Sequence, residues 1–184
     1  MLFFIGIGVL IFISLIELNP KHFRKSFPHQ ETDNYSGVIL TVTSILVGIV
    51  SCIGKIAGIL IIDSSLNSAY ILYGILLVGI GFALRYSAMR ILKEDYNYAV
   101  APIKKLKING IYQKIRHPAY LGTLLYAIGT PLIFLSLLGF FAALIVFFSV
   151  FYRINVEEKF LAKILGNKYL EYMRHTWRMV PYVY

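Results

Sequence analysis

The chain has 184 residues, 58% of them hydrophobic and 15% charged, with a mean hydropathy of +0.71. Such a composition excludes an ordinary water-soluble domain and reads as a membrane protein. A net charge of +9 would suit nucleic acid, but in a mostly apolar chain a basic excess is explained by topology signals in short loops, so nucleic acid is not an expected partner. The single cysteine, Cys52, excludes an internal disulfide framework, a CxxC redox pair and a cysteine-rich metal site.

A membrane span takes about 20 apolar residues, and five stretches approach that length: Leu2 to Leu18, Gly37 to Ile62, Ala69 to Leu92, Ala119 to Leu135 and Leu137 to Ile154. The first lacks a basic leader and a small-residue cleavage site, and reads as a retained span rather than a signal peptide. The second, interrupted by Lys55 and several glycines, reads either as one tilted helix or as a helix followed by a short interfacial piece. The fourth and fifth are separated by little more than Ser136, which leaves room for a tight helical hairpin.

Basic residues alternate with these spans. Lys21, Arg24 and Lys25 lie between spans one and two; Arg90, Lys93, Lys104, Lys105, Lys107, Lys114 and Arg116 lie between three and four. Arg153, Lys159, Lys163, Lys168, Arg174 and Arg178 follow the fifth, whereas the other two connections hold at most Lys55. The expected fold is therefore an all-α integral membrane protein of about five transmembrane helices, with the N-terminus outside, the C-terminus cytoplasmic and a cytoplasmic helical tail. In that tail Phe160, Leu161, Ile164 and Leu165 share one side of a helix that breaks at Gly166. Beyond the break, Tyr169, Tyr172, Trp177, Tyr182 and Tyr184 suit the lipid headgroup level. With no internal repeat or linker, residues 1–184 form one membrane domain, divided into N-terminal spans (1–84) and a half that carries the motifs (85–184).

Two constellations carry candidate chemistry, both at the cytoplasmic face. The first runs from Gly110 to Gly122 and contains Tyr112, Arg116, His117, Pro118 and Tyr120. Pro118 favours the first turn of a helix and pushes His117 towards an extended backbone. The imidazole and Arg116 would then stand beside free N–H groups at a helix start, a compact site for a carboxylate or phosphate. The plainer alternative stands level with it: Arg116 only marks the cytoplasmic side and His117 only caps the helix. The second constellation is Arg153-Ile154-Asn155-Val156-Glu157-Glu158. Arg153 and Glu157 share a helix face and suit an ordinary ion pair, which leaves Glu158 over. Two carboxylates there would suit ribose hydroxyls or an ammonium group. Arg85, in the inner part of span three, either snorkels to the interface or meets a partner. His22, His29 and His175 show no metal-ligand spacing, and no metal site is expected.

The run Gly-x-Tyr-x-x-x-Arg-His-Pro-x-Tyr-x-Gly, the later Arg-x-x-x-Glu-Glu, and then Gly166, Tyr169 and Tyr172 together resemble the isoprenylcysteine carboxyl methyltransferase family and its phospholipid methyltransferase relatives. The resemblance covers roughly the last hundred residues, from Arg85 onwards. It implies an integral membrane enzyme that uses S-adenosylmethionine. It also implies that Tyr112, Arg116, His117, Pro118, Tyr120, Glu157 and Glu158 bind that cofactor, that Arg153 and Glu158 serve the chemistry, and that Arg85 and Arg153 meet the substrate. Leu92-Lys93 stands where many relatives carry Leu-Gly. The implied acceptor is the carboxylate of a prenylated cysteine or a similar lipophilic molecule, reached from the membrane lipids. Methyl transfer from a sulfonium to a carboxylate neutralises both charges, so a water-poor site favours it without a general base. Rival readings are a phospholipid N-methyltransferase, an NADPH-dependent sterol reductase, whose motifs look similar around Arg116-His117-Pro118, and a non-catalytic membrane protein.

Overall fold

The computed structural model describes residues 35–93, 96 and 106–183, and the regular elements among them are helices. The five α-helices are α1 (Ser36–Ala57), α2 (Asn67–Leu92), α3 (Pro118–Phe134), α4 (Leu137–Leu165) and α5 (Asn167–Arg174), with a 3-10 turn at Gly110–Gln113 before α3. The first expected span lies outside the described residues, as does the stretch holding Lys104 and Lys105. Helices α1, α2 and α4 are long and apolar enough to cross a bilayer; α3 is a shorter apolar helix. Their outer faces expose Ile45, Ile49 and Ile53 on α1, Leu72, Leu76 and Ile80 on α2, and Phe141, Leu144 and Phe148 on α4. An apolar surface of that extent suits contact with lipid and not with water.

Two helix pairs make the bundle, α2 with α3 and α1 with α4, and α3 also touches α1 and α4. The first pair is antiparallel and fits through glycine. A Cβ on Gly74 would stand 2.6 Å from the Gly129 carbonyl oxygen, and one on Gly81 2.6 Å from that of Gly122. The two glycines on each helix are two turns apart and form a single stripe, so the backbones approach more closely than any side chain would allow. Gly79, two residues before Gly81, faces open space. In the second pair the core is Val47, Val146, Val150 and Ile154, all essentially inaccessible.

Two ambiguous segments are settled by backbone hydrogen bonding. The second predicted span stops at Ala57, because Gly58 takes the left-handed conformation (φ 68°) and its N–H turns back onto the last helical carbonyls. The residues that follow cover the hairpin between α3 and α4. There Leu135 is left-handed (φ 54°), and the Ser136 hydroxyl accepts from the Gly139 N–H at the start of α4. Ile62 N–H donates to the Leu135 carbonyl at 2.7 Å and Leu137 N–H to that of Leu60 at 2.9 Å. The first of these pairings satisfies the carbonyl of Leu135, which is 4% exposed. At the other end, the fifth predicted span and the first part of the tail are one helix. α4 continues without a break from the apolar stretch to Leu165 and ends, as expected, at Gly166 (φ 56°).

Candidate functional site

The charged end of the bundle gathers the start of α1, the end of α2, the start of α3 and the second half of α4. Pro118 opens α3, where its fixed φ suits the first turn and its missing N–H removes no helical bond. His117 is the preceding cap residue, but its ring does not cap the helix. It reaches across to α4, where Nε2 lies 3.2 Å from Glu158 Oε1. The same oxygen accepts from Arg116 Nε at 2.9 Å, and Arg178 Nη2 lies 2.8 Å from Oε2. Glu158 is only 4% exposed, so Arg116, His117 and Arg178 together replace its hydration. Oε2 has no aligned hydrogen-bond donor; the Arg178 contact is coulombic.

The segment after α5 is fastened across the start of α3. Arg116 N–H donates to the Trp177 carbonyl (2.8 Å), His117 N–H to that of Arg178 (2.9 Å), and Trp177 N–H to that of Lys114 (2.9 Å). Arg116 Nη1 adds bonds to the carbonyls of Met173 (3.1 Å) and Thr176. Met179 then plugs into the apolar core beside Val150 and Ile154.

One turn further into the bundle lies a second polar chain. Tyr120 donates its hydroxyl proton to Glu157 Oε2 at 2.5 Å and accepts from Arg153 Nε at 2.9 Å. Arg153, 2% exposed, also donates from Nη1 to Ser36 Oγ on α1 at 2.8 Å. Glu157 is half-buried. Tyr112, on the 3-10 turn, is buried, and its carbonyl accepts from the Tyr172 hydroxyl at 2.7 Å. Burial pushes the Tyr172 hydroxyl up to about 12. Burial also raises the Tyr112 and Tyr169 hydroxyls, with the negative charge of Glu157 adding to the effect.

The structure thus brings Tyr112, Arg116, His117, Pro118, Tyr120, Arg153, Glu157 and Glu158 to one end of α3 and α4. Arg85, on α2, does not merely snorkel but donates to Thr123 Oγ1, one turn on from Tyr120 along α3, at 2.5 Å and to the Tyr96 hydroxyl at 3.5 Å.

Two sequence expectations are corrected here. The anion site foreseen at the start of α3 is filled by the chain's own Glu158, and the N–H groups of Arg116 and His117 are taken by tail carbonyls. Tyr169 and Tyr172 face inwards and not the headgroups, since α5 folds back onto the Tyr112 turn. Sequence reasoning also missed Arg178, Ser36 and Thr123 as partners. Arg178 is 20 positions beyond Glu158, and no periodicity links them; only the folded-back tail does.

An all-helical membrane protein with a buried carboxylate and arginine cluster at one end of its bundle is the class that the fold and the site define. Within that class, the model of the phospholipid methyltransferase family matches residues 69–168, and the chain belongs to that family. Among curated proteins it is similar to protein-S-isoprenylcysteine O-methyltransferases. It is 37% identical to that of Saccharomyces cerevisiae over 117 residues, covering 60% of this chain and 48% of the relative. It is 33% identical to that of Dictyostelium discoideum, covering 55% and 45%, and 33% identical to that of Schizosaccharomyces pombe, covering 56% and 46%. The chain spans about half the length of these relatives.

Proposed function

We propose that the protein is an S-adenosylmethionine-dependent methyltransferase that esterifies the carboxylate of a prenylated cysteine or a similar lipophilic acceptor at the cytoplasmic membrane face. The observation that carries this reading is the charge cluster around Glu158 and Tyr120, placed at the end of an apolar bundle in a chain similar to enzymes of that name. Five spans with the site end in the cytoplasm fit the alternation of basic residues.

The donor set fits the cofactor. Glu157 is half-buried and commits Oε2 to Tyr120, while Glu158 Oε2 lacks an aligned donor; carboxylates so placed accept from ribose hydroxyls or an ammonium group. Arg116 and Arg178 hold the Glu158 carboxylate in place. When bound, S-adenosylmethionine supplies a methyl group on a sulfonium cation. The chain's residues do the rest. Tyr112, Arg116, His117, Pro118, Tyr120, Glu157 and Glu158 form the cofactor wall, within which Glu158 holds loop and tail in register. Arg153, oriented by Tyr120 and Ser36, holds the acceptor carboxylate, with Arg85, bonded to Thr123 on α3, as a second anchor. The surrounding apolar helices exclude water, and loss of charge in the displacement is favoured where water is scarce.

Calorimetric titration of the purified protein with S-adenosylhomocysteine, in parallel with NADPH, tests this. Binding of the former should weaken about tenfold or more in Glu157→Gln, the size of a lost charge-assisted hydrogen bond. It should be unchanged in Lys55→Ala, at the opposite end of α1. Binding of NADPH alone would replace the reading with a reductase, and binding of neither would refute it. The family description favours one second acceptor, a phospholipid amine; product analysis with a prenylcysteine and with a phospholipid as methyl acceptors separates the two.

A further inference from the structure

The segment Trp177–Val183 has an inner and an outer side. Inwards go Arg178, to Glu158, and Met179, 3% exposed, into the core. Outwards go Trp177 (41% exposed), Val180 (39%), Tyr182 (87%) and Val183 (78%). These four are held together: the Trp177 and Tyr182 rings lie 5.3 Å apart, and Val183 N–H closes a turn onto the Val180 carbonyl at 3.2 Å. Apolar side chains clustered and exposed to this degree mark a contact surface.

The location selects the partner. Backbone hydrogen bonds tie Trp177 and Arg178 to residues 114–117, the residues that immediately precede the apolar helix α3. The patch is therefore fixed at the depth where α3 meets the edge of the apolar layer. Its neighbourhood is basic: Lys114, Lys163, Lys168 and Arg174 are exposed at this end. Tryptophan and tyrosine among cations is the composition that partitions to the lipid headgroup layer and is drawn to anionic lipid.

We infer that Trp177, Val180, Tyr182 and Val183 form an interfacial foot that inserts into the headgroup layer of an anionic membrane. The foot and the Glu158 latch belong to one short segment, so the membrane surface itself holds Arg178 against Glu158. This inference needs only the bilayer and is independent of methyl transfer.

Trp177 is the only tryptophan in the chain, so the emission of the unmodified protein reports on the foot directly. The full chain is reconstituted in vesicles of phosphatidylcholine with phosphatidylglycerol, in which one lipid carries bromine either near the headgroup or near the chain end. Shallow bromine should quench the emission about twofold more than deep bromine, the pattern of an aromatic at the interface. Aqueous iodide should quench weakly. In the Tyr182→Ser, Val183→Ser variant, iodide quenching should rise and shallow-bromine quenching fall while far-ultraviolet helicity stays unchanged. Free quenching by iodide with none by either brominated lipid would place the patch in water and overturn the inference. Resistance to all three quenchers would overturn it too, by showing that protein covers the patch.

Discussion

Removing the Glu158 carboxylate is the most informative single perturbation, because one buried group fastens three separate segments. Its side chain is 5% exposed, and the Arg116 and His117 side chains facing it are 7% and 4% exposed. Glu158→Ala leaves Arg116 as a buried cation without its counter-charge, a change that costs about 3–5 kcal/mol. For a chain of this size each kcal/mol lowers the midpoint by about 2–4 °C, so the unfolding midpoint should fall by roughly 10 °C. Glu158→Gln keeps the volume and an acceptor and loses only the charge, costing about 1.5–3 kcal/mol. Losing the partly exposed Arg178–Glu158 pair in Arg178→Ala should cost only up to about 1 kcal/mol, since the Arg178 side chain is 28% exposed. The assay is thermal unfolding in detergent followed by helicity, with the three variants side by side. A Glu158→Ala midpoint within about 1 °C of the parent would refute the reasoning, because a carboxylate that serves as the counter-ion of a buried arginine cannot be removed so cheaply.

Two further outcomes follow from packing and burial. Gly81→Ala should lower the unfolding midpoint, since the new methyl group meets the Gly122 carbonyl oxygen at 2.6 Å, at an estimated 1–3 kcal/mol typical of about one methylene too many. Gly79→Ala, two positions away and facing open space, should leave the midpoint unchanged or raise it, and equal effects from both would contradict the glycine stripe. The Tyr172 hydroxyl, pushed up to about 12 by burial, is neutral when it donates to the Tyr112 carbonyl. Its contribution is complete below the ordinary tyrosine value of about 10 and is lost as pH rises from there through about 12. A tyrosinate absorbance titration should show late ionisation that is smaller by one tyrosine in Tyr172→Phe.

Much of this molecule was determined by its sequence alone. Apolar runs of membrane length fix where helices form, because the backbone must satisfy its own hydrogen bonds wherever water is absent. Of the sequence-derived boundaries that lie within the described residues, Gly166, Ser136 and Pro118 stand where expected, since a left-handed turn, a hydroxyl cap and a missing N–H are local properties. The residues of the candidate site were also legible, because Arg116-His117-Pro118 and Glu157-Glu158 carry unusual polarity at the edges of apolar helices.

Only the tertiary structure decided which of these residues face one another. Glu158 and Arg178 carry no mark of their pairing; α5 must turn back so that the tail lies over the start of α3 before the carboxylate and the guanidinium meet. Likewise, a hydroxyl from α3 joins Arg153 and Glu157 on the face of α4 that they share, because helix packing brings a neighbour that spacing along one helix cannot contain. Local geometry writes the elements and their ends into the sequence. The charge network depends on contacts between residues remote in the chain, and burial makes its partners obligatory.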